Sequence, residues 1–354
     1  MKRKYEHSTN SSPIVVDAIN ISTGGGLVLL KYLCDELIGN LMDFILVVDE
    51  NKNTIDIDGC SIVHCNNSLL SRYKFYANLE KELQPSVVFC FGNFPPPLRL
   101  SCRVYTYFHR PALAKINLHL ASWSQRMSYK AKRFLLWVWK ENTRMFIFQT
   151  AVVQENFLRT YGQGISTEII PFYNTTQYNR PASDSSDSSD RIERFIYVSN
   201  DAPHKNHGAL LDAWKELHEQ GVHPQLLLTL PVSSRFEQRV KFLNKEGCNI
   251  INVGQLDHQV ILDETKKSKY VIFPSIAETL GLGLVEGFYL GCHVIAADLP
   301  YTKEVVIPSF EFDPFSSSAI AFAVLQSLET SVAPGTELVL DNKIDDLLLL
   351  LSSN

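Results

Sequence analysis

Short runs of Val, Ile, Leu and Phe alternate along the chain with longer segments whose apolar residues recur at helical spacing. This alternation predicts parallel strands covered by helices, because a strand buried on both faces reads as a continuous apolar run. In the first half the runs are PIVVDAI (13–19), FILVVD (44–49), SVVFCFG (86–92), RVYTYFH (103–109) and RMFIFQ (144–149). In the second half RFIYVSN (194–200), QLLLTLP (225–231), NIINVG (249–254), YVIFPS (270–275) and HVIAAD (293–298) repeat the arrangement. GLVLLKYLCDELIG, after the first run, carries the pattern of a covering helix.

Between the halves lies NRPASDSSDSSDRIE, 179–193, with no apolar residue between Ala182 and Ile192. Such a segment cannot bury itself and reads as a solvated linker. The expected organisation is an extension over 1–12, a first α/β domain over 13–178, the linker, a second α/β domain over 194–330 and a closing segment over 331–354. That last segment ends in KIDDLLLLLSSN, with five consecutive leucines. Two such domains are expected to face each other across a cleft, with ligands at the carboxyl ends of the strands.

Bulk composition narrows the classes. Of 354 residues, 45% are hydrophobic and 20% charged, which is ordinary globular usage. A net charge of −5 gives no basic footprint for nucleic acid. Seven cysteines form no C-x-x-C pair, so reduced thiols and a cytoplasmic setting are expected. The basic start, MKRKYEHSTNSS, is followed by no apolar segment of the kind a signal peptide needs, and no run is long enough to span a bilayer.

Chemistry is therefore sought just after the strands. STGGG, 22–26, follows the first run and precedes a helix, so Gly24, Gly25 and Gly26 let backbone approach a ligand near unpaired N–H groups; a tight turn is the plainer reading. VSNDAPHKNHGALLDAW, 198–214, sets Lys205 beside a helix start, where it suits a phosphate; surface lysines are common, and His204 and His207 read as lining that turn. In PSIAETLGLGLVEGFYLGCHVIAAD, 274–298, Glu278 follows a buried strand, Gly281 and Gly283 loosen a helix start, and Glu286 falls inside that helix. A carboxylate there accepts hydrogen bonds from a vicinal diol such as a ribose, and the N–H groups of 281–284 suit a diphosphate. Glutamates that merely complement the helix dipole are the alternative. DID, 56–58, resembles a D-x-D metal motif but lies in a polar loop and reads as a solvated turn.

At these residues the chain resembles the group 1 family of retaining glycosyltransferases. Its E-x7-E signature is seen as Glu278-TLGLGLV-Glu286, after a strand ending in Pro274 and Ser275. The resemblance covers about residues 13–330 and implies the α/β GT-B fold, two facing Rossmann-like domains with parallel sheets and an interdomain cleft. It implies that Glu278 contacts the transferred sugar, Glu286 holds the ribose, and Gly281, Leu282, Gly283 and Leu284 cradle the diphosphate or the sugar, with Lys205 as the neutralising cation. By the same resemblance Gly24, Gly25 and Gly26 lie near the phosphates, His109 reaches the donor sugar, and Gly254 and Gln255 sit beside the base. Asn200 stands where many members carry an arginine, so donor preference stays open. The implied activity is retaining (hexosyltransferase type) transfer from a nucleotide-sugar to a saccharide or lipid-linked acceptor in surface-polysaccharide assembly such as lipopolysaccharide O-antigen or capsule. The nucleotide-sugar is a substrate, and neither metal nor cofactor is expected.

Residues 113–145 carry seven basic side chains and one acidic, Glu141. At helical spacing Arg126, Lys130, Arg133, Trp137, Lys140 and Arg144 share one face, while Met127, Phe134, Leu135 and Val138 are expected elsewhere. Such a stripe fits an anionic membrane surface, here the inner face of the cytoplasmic membrane; an ordinary solvated face is the alternative. Two rival functions stay in view. The Gly281-Leu-Gly283 run, with Asp298 after the next strand, loosely mimics the fingerprint of a nicotinamide-dependent oxidoreductase or epimerase. A non-catalytic sugar-nucleotide-binding protein of the same fold is the other.

Overall fold

The computed structural model describes residues 12–353 apart from 22–23, 53–54, 56, 115–122 and 179–190. The expected extension through residue 11, the linker over 179–190, Ser22 and Thr23 of the glycine loop and Asp56 of the D-x-D motif lie outside the described residues. The chain divides into two compact units, the first built from residues up to 174 together with 341–353, the second from 175 to 340, among the described residues. The closing segment expected over 331–354 is thus divided, its last part belonging to the first unit.

The first unit has seven parallel strands: β1 (Ile14–Asp17), β2 (Phe44–Asp49), β3 (Ser61–Cys65), β4 (Val87–Cys90), β5 (Arg103–Phe108), β6 (Met145–Phe148) and β7 (Thr167–Ile169). They lie in the order β3-β2-β1-β4-β5-β6-β7. Around them run α1 (Gly25–Gly39), α2 (Leu69–Glu82), α3 (Trp123–Trp139) and α4 (Ala151–Tyr161). The central strands β1, β2 and β4 are buried at every position, which is why their sequences are unbroken apolar runs. Tyr76 and Leu79 of α2 pack with Val15, Val47, Val88 and Val104. Leu136 and Trp139 of α3 and Phe157 of α4 pack with Phe108, Phe146 and Phe148.

The second unit holds a six-stranded parallel sheet of β8 (Ile192–Tyr197), β9 (Gln225–Leu228), β10 (Ile250–Asn252), β11 (Ser268–Phe273), β12 (His293–Ala297) and, after the short β13 (Val306–Ile307), β14 (Phe310–Phe312). Its order is β10-β9-β8-β11-β12-β14, and β13 pairs antiparallel with β15 (Glu337–Leu338). The helices are α5 (His207–Glu219), α6 (Glu237–Glu246), α7 (His258–Lys267), α8 (Leu282–Tyr289), α9 (Pro300–Val305) and α10 (Ser317–Glu329). Both sheets wind outward in two directions from a first strand beside a fourth. In this topology the strand order reverses between β1 and β4 and between β8 and β11, and the carboxyl ends of those strands diverge into a crevice suited to ligands.

The remaining helix, α11 (Ile344–Ser352), buries Ile344, Leu347, Leu348 and Leu351 in the first unit, which accounts for the leucine run. Asn342 fixes its approach by donating to the Tyr173 carbonyl (2.9 Å), and the Lys343 N–H donates to the Pro171 carbonyl (2.8 Å). Among the described residues no helix is long and apolar enough to cross a membrane.

Candidate functional site

In the second unit β8 and β11 pair directly, and the loops that leave them carry the predicted chemistry. After β8 the chain forms a short 3-10 turn, Pro203–Lys205, then α5. After β11 it passes through Ser275 and Glu278 to α8. Tyr197, on β8, ties the two loops together: its hydroxyl donates to the Lys205 carbonyl (2.9 Å) and shares a hydrogen bond with Ser275 Oγ (2.8 Å). The Ile276 N–H donates to the His204 carbonyl (2.8 Å), and Tyr301 donates to the Ser275 carbonyl (2.6 Å).

This frame brings Lys205 Nζ to 2.6 Å from Glu278 Oε1, with the lysine 5.8 Å from the centre of the Phe273 ring. Both side chains are largely buried. Burial pushes the Glu278 carboxyl up; Lys205, then His204, and hydrogen bonds from Lys205 and Ser275 together outweigh it and hold the carboxyl below its ordinary value. The group is therefore an anion at neutral pH, suited to accept hydrogen bonds from hydroxyls.

Glu286 lies inside α8 as expected and its carboxylate is buried, bonded through Oε1 to His258 Nε2 at 2.8 Å. The expected cradle is partly changed. Gly281 takes the left-handed conformation (φ 70°) that starts α8, and its carbonyl accepts the Leu284 N–H at 2.8 Å. The N–H of Leu284 is thus already used and its side chain is in the core. Leu282 and Gly283 remain as first-turn donors with no carbonyl a full turn behind them. Gly283 packs closely, since a Cβ there would stand 3.1 Å from the Phe273 ring.

Asn200 is exposed, its side chain accepting from the Ala202 N–H at 3.1 Å. His207 Nε2 lies 2.9 Å from both the Asn200 carbonyl and Ser199 Oγ, so it lines the turn as expected; burial pushes its imidazole down to about 4. Gly254 is buried and Gln255 exposed in the turn after β10, which Asn252 holds by accepting from the Gly254 N–H at 3.3 Å. Asp298 pairs with Lys303 at 2.6 Å.

In the first unit the predicted glycines and histidine also meet. Gly24 caps α1 and Gly25 opens it, and a Cβ on Gly26 would stand 3.2 Å from His109 Cε1. The imidazole packs on Phe91 (5.0 Å between ring centres), and the His109 backbone N–H donates to Asn93 Oδ1 at 2.8 Å. Burial, helped by the Arg110 charge and opposed by a backbone hydrogen bond to Phe91, pushes His109 down to about 4, so it is neutral at pH 7.

Three features escaped the sequence reading. Asp17, at the end of β1, is buried with Arg72 Nη2 2.9 Å away and accepts a hydrogen bond from Tyr76; its Oδ1 accepts the Ile19 N–H (3.0 Å), which fixes the turn toward the glycine loop. His258 was not singled out, because a lone histidine after a loop carries no signal without its partner. The third concerns α3, whose expected basic face is broken up. Arg133 donates to the Ala112 and Ala114 carbonyls (2.9 and 2.6 Å), Lys140 donates to the Tyr161 carbonyl (2.6 Å) from beyond the helix, and Arg144 stands ahead of β6. These inward bonds were invisible in a charge pattern. The exposed face instead shows Trp123 (78% exposed), Met127, Phe134, Trp137 and Val138 with Arg126 and Lys130, so Met127, Phe134 and Val138 join Trp137 where they were expected apart.

Residues 181–333 match the family model of glycosyl transferases group 1. Among curated proteins no sequence matches. Solved structures match over most of the chain. A sucrose-phosphate synthase from Thermosynechococcus elongatus has a TM-score of 0.68 at 17% identity, covering 90% of both chains. A glycosyltransferase from Rickettsia africae has a TM-score of 0.66 at 16% identity, covering 97% of this chain and 93% of its own. An E. coli structure described as trehalose-6-phosphate bound with UDP-2-fluoro glucose has a TM-score of 0.60 at 12% identity, covering 90% and 92%. At these identities the likeness establishes the fold class, α/β with two Rossmann-like units of the GT-B kind. The segment matched by the family model carries Lys205, Glu278 and Glu286.

Proposed function

We propose that the protein transfers a sugar from a nucleotide-sugar donor to a saccharide or lipid-linked saccharide acceptor, with retention of anomeric configuration, in surface-polysaccharide assembly. The observation that carries this reading is the Lys205–Glu278 pair at the β8–β11 switch point, with Glu286 held in the next helix. The solved relative bound with UDP-2-fluoro glucose supports the donor class.

Breaking the donor's anomeric bond sends its electron pair to the diphosphate oxygen and leaves positive character on the sugar carbon. Lys205 and the first-turn N–H groups of Leu282 and Gly283 oppose the negative charge as it develops, which is electrostatic catalysis. Donor binding exchanges the resting contact: a phosphate oxygen takes Lys205 while sugar hydroxyls donate to the freed Glu278 oxygen. Glu278, ionised at neutral pH, acts as an acceptor and an opposing charge, not as a proton donor. The departing phosphate takes the acceptor's proton on the face the acceptor attacks, which preserves configuration. In this reading the lysine does the work a divalent ion does in other transferases.

A panel of UDP-, GDP- and dTDP-sugars, assayed for hydrolysis and transfer with product anomers read by NMR, tests the proposal. Turnover of one donor with retention supports it, and inversion removes the mechanism. Asn200 favours one further reading, a sugar-nucleotide binder without turnover, because its side chain is engaged with the Ala202 N–H where a cation would otherwise stand. A donor bound yet neither hydrolysed nor transferred would establish that reading.

For the acceptor side, the exposed face of α3 fits the inner, anionic leaflet of the cytoplasmic membrane. Trp123, Met127, Phe134, Trp137 and Val138 fall within about 100° of the helix circumference at 100° per residue. Lys130 lies in the same arc and Arg126 at its edge. Apolar and aromatic groups bounded by cations suit the boundary between acyl chains and anionic headgroups. Flotation with phosphatidylglycerol vesicles should carry the protein up, and the Phe134→Ser, Trp137→Ser variant should stay at the bottom. Absence of flotation with the wild type removes the membrane from the proposal.

A further inference from the structure

Glu286 is held from outside its own helix. His258, the first residue of α7, sets Nε2 2.8 Å from Glu286 Oε1. A carboxylate only accepts, so the imidazole N–H is the donor. The glutamate side chain is 7% exposed and the histidine 28%, so the bond engages a nearly covered carboxylate while the histidine reaches the surface.

The loop that His258 terminates is anchored at its other end as well. Asn252, closing β10, accepts from the Leu230 and Gly254 N–H groups (2.9 and 3.3 Å) and donates to the Leu230 carbonyl and Glu237 Oε2 (3.2 and 2.9 Å). The turn carrying Gly254 and Gln255 therefore hangs between Asn252 and the His258–Glu286 bond. One end belongs to the strand and the other to the carboxylate.

We propose that His258 is a positioning residue that sets nucleotide specificity: by occupying Oε1 it fixes the Glu286 carboxylate so that Oε2 is presented to a vicinal diol. Two lone pairs on one oxygen then accept from the 2′- and 3′-hydroxyls of a ribose, and the loop of Gly254 and Gln255 moves with the group that reads the sugar. Without the histidine the carboxylate turns about its terminal bond, and neither hydroxyl meets a fixed acceptor. This rests on the reading that Glu286 meets the ribose.

The experiment is calorimetric titration of the full chain with UDP, GDP and their 2′-deoxy counterparts, for the wild type, His258→Ala, His258→Gln and Glu286→Gln. The wild type should bind one ribonucleotide about 10-fold more tightly than its 2′-deoxy form, the size of one hydrogen bond to a charged group. His258→Ala should bring that ratio to about 2-fold, with His258→Gln, which keeps an N–H donor, restoring most of it. A His258→Ala protein that binds more weakly but keeps the wild-type ratio overturns the proposal, because the histidine would then only pack the loop. A wild type that binds none of the four, or does not distinguish the ribo from the deoxy form, overturns the ribose reading itself, and that failure appears before any variant is made.

Discussion

Lys205 Nζ stands 2.6 Å from Glu278 Oε1 at the carboxyl ends of two adjacent strands, so the two residues with opposite expected tasks are each other's partner in the resting protein. The pairing explains how a carboxylate can be kept ionised in a largely buried position. It also makes the two side chains energetically dependent.

Replacing Lys205 with Met leaves the carboxylate without its partner, and the expected loss is about 1–3 kcal/mol, below the figure for a fully buried pair because both groups keep some solvent. The double variant with Glu278→Gln should recover most of it, as a thermodynamic cycle by urea denaturation would read. Glu278→Gln alone should fold normally and lose transfer by roughly 100-fold or more. The native Glu278 carboxyl titrates below its unfolded value, so its stabilisation is complete above the ordinary 4.5 and is lost as pH falls through the lower native value. Glu278→Gln should flatten that acid limb.

Acid should act earlier through His109 and His207. Both titrate at about 4 in the fold against an ordinary 6.5, so the fold favours their neutral forms. Their contribution is therefore present in full above 6.5 and declines as pH falls from 6.5 toward 4. For His207, which is fully buried, the loss is on the order of 3 kcal/mol. Denaturation midpoints measured between pH 7 and pH 4 should fall less steeply for His207→Gln than for the wild type.

The glycines separate stability from activity. Gly281→Ala forces a side chain into the left-handed region and brings its Cβ to 3.0 Å from Leu284 Cδ1, so a loss of about 1–2 kcal/mol is expected. At Gly26 the backbone has no such demand, but a Cβ would press on His109 Cε1 from 3.2 Å. Gly26→Ala should therefore change the melting temperature little while raising the donor KM or lowering kcat as the imidazole shifts.

Arg72 and Asp17 form a buried pair, with 4% and 2% of their side chains exposed. Arg72→Ala strands the aspartate in the core and should cost about 3–5 kcal/mol. Asp17→Asn should cost less, and because its single amide oxygen can serve either the Ile19 N–H or the Arg72 and Tyr76 donors but not both, it should loosen either the turn into the glycine loop or the buried pair. Chemical denaturation of the two variants gives the comparison directly.

The central strands were legible because burial on both faces leaves no alternation to misread, as in FILVVD and YVIFPS. The edge strands β3, β7 and β14 were not, since SIVHC, TEI and FEF mix polar groups into three to five residues. At the site, Glu278, Glu286 and Lys205 stood out through their spacing within one half of the chain. His258 and Arg72 did not, because what defines them is a partner 28 and 55 residues away. Arg133 and Lys140 misled for the complementary reason: a long cationic side chain drawn on a helical wheel gives no sign that it bends back to cap a carbonyl.

The return of α11 to the first unit has a consequence for biosynthesis. A ribosome that has finished β1 to β7 has not yet made the helix that seals their unit, and must first translate all of 175–340. The nascent first unit spends that interval with the seat of Leu347 and Leu351 bare, an apolar surface that is covered only when the tail emerges.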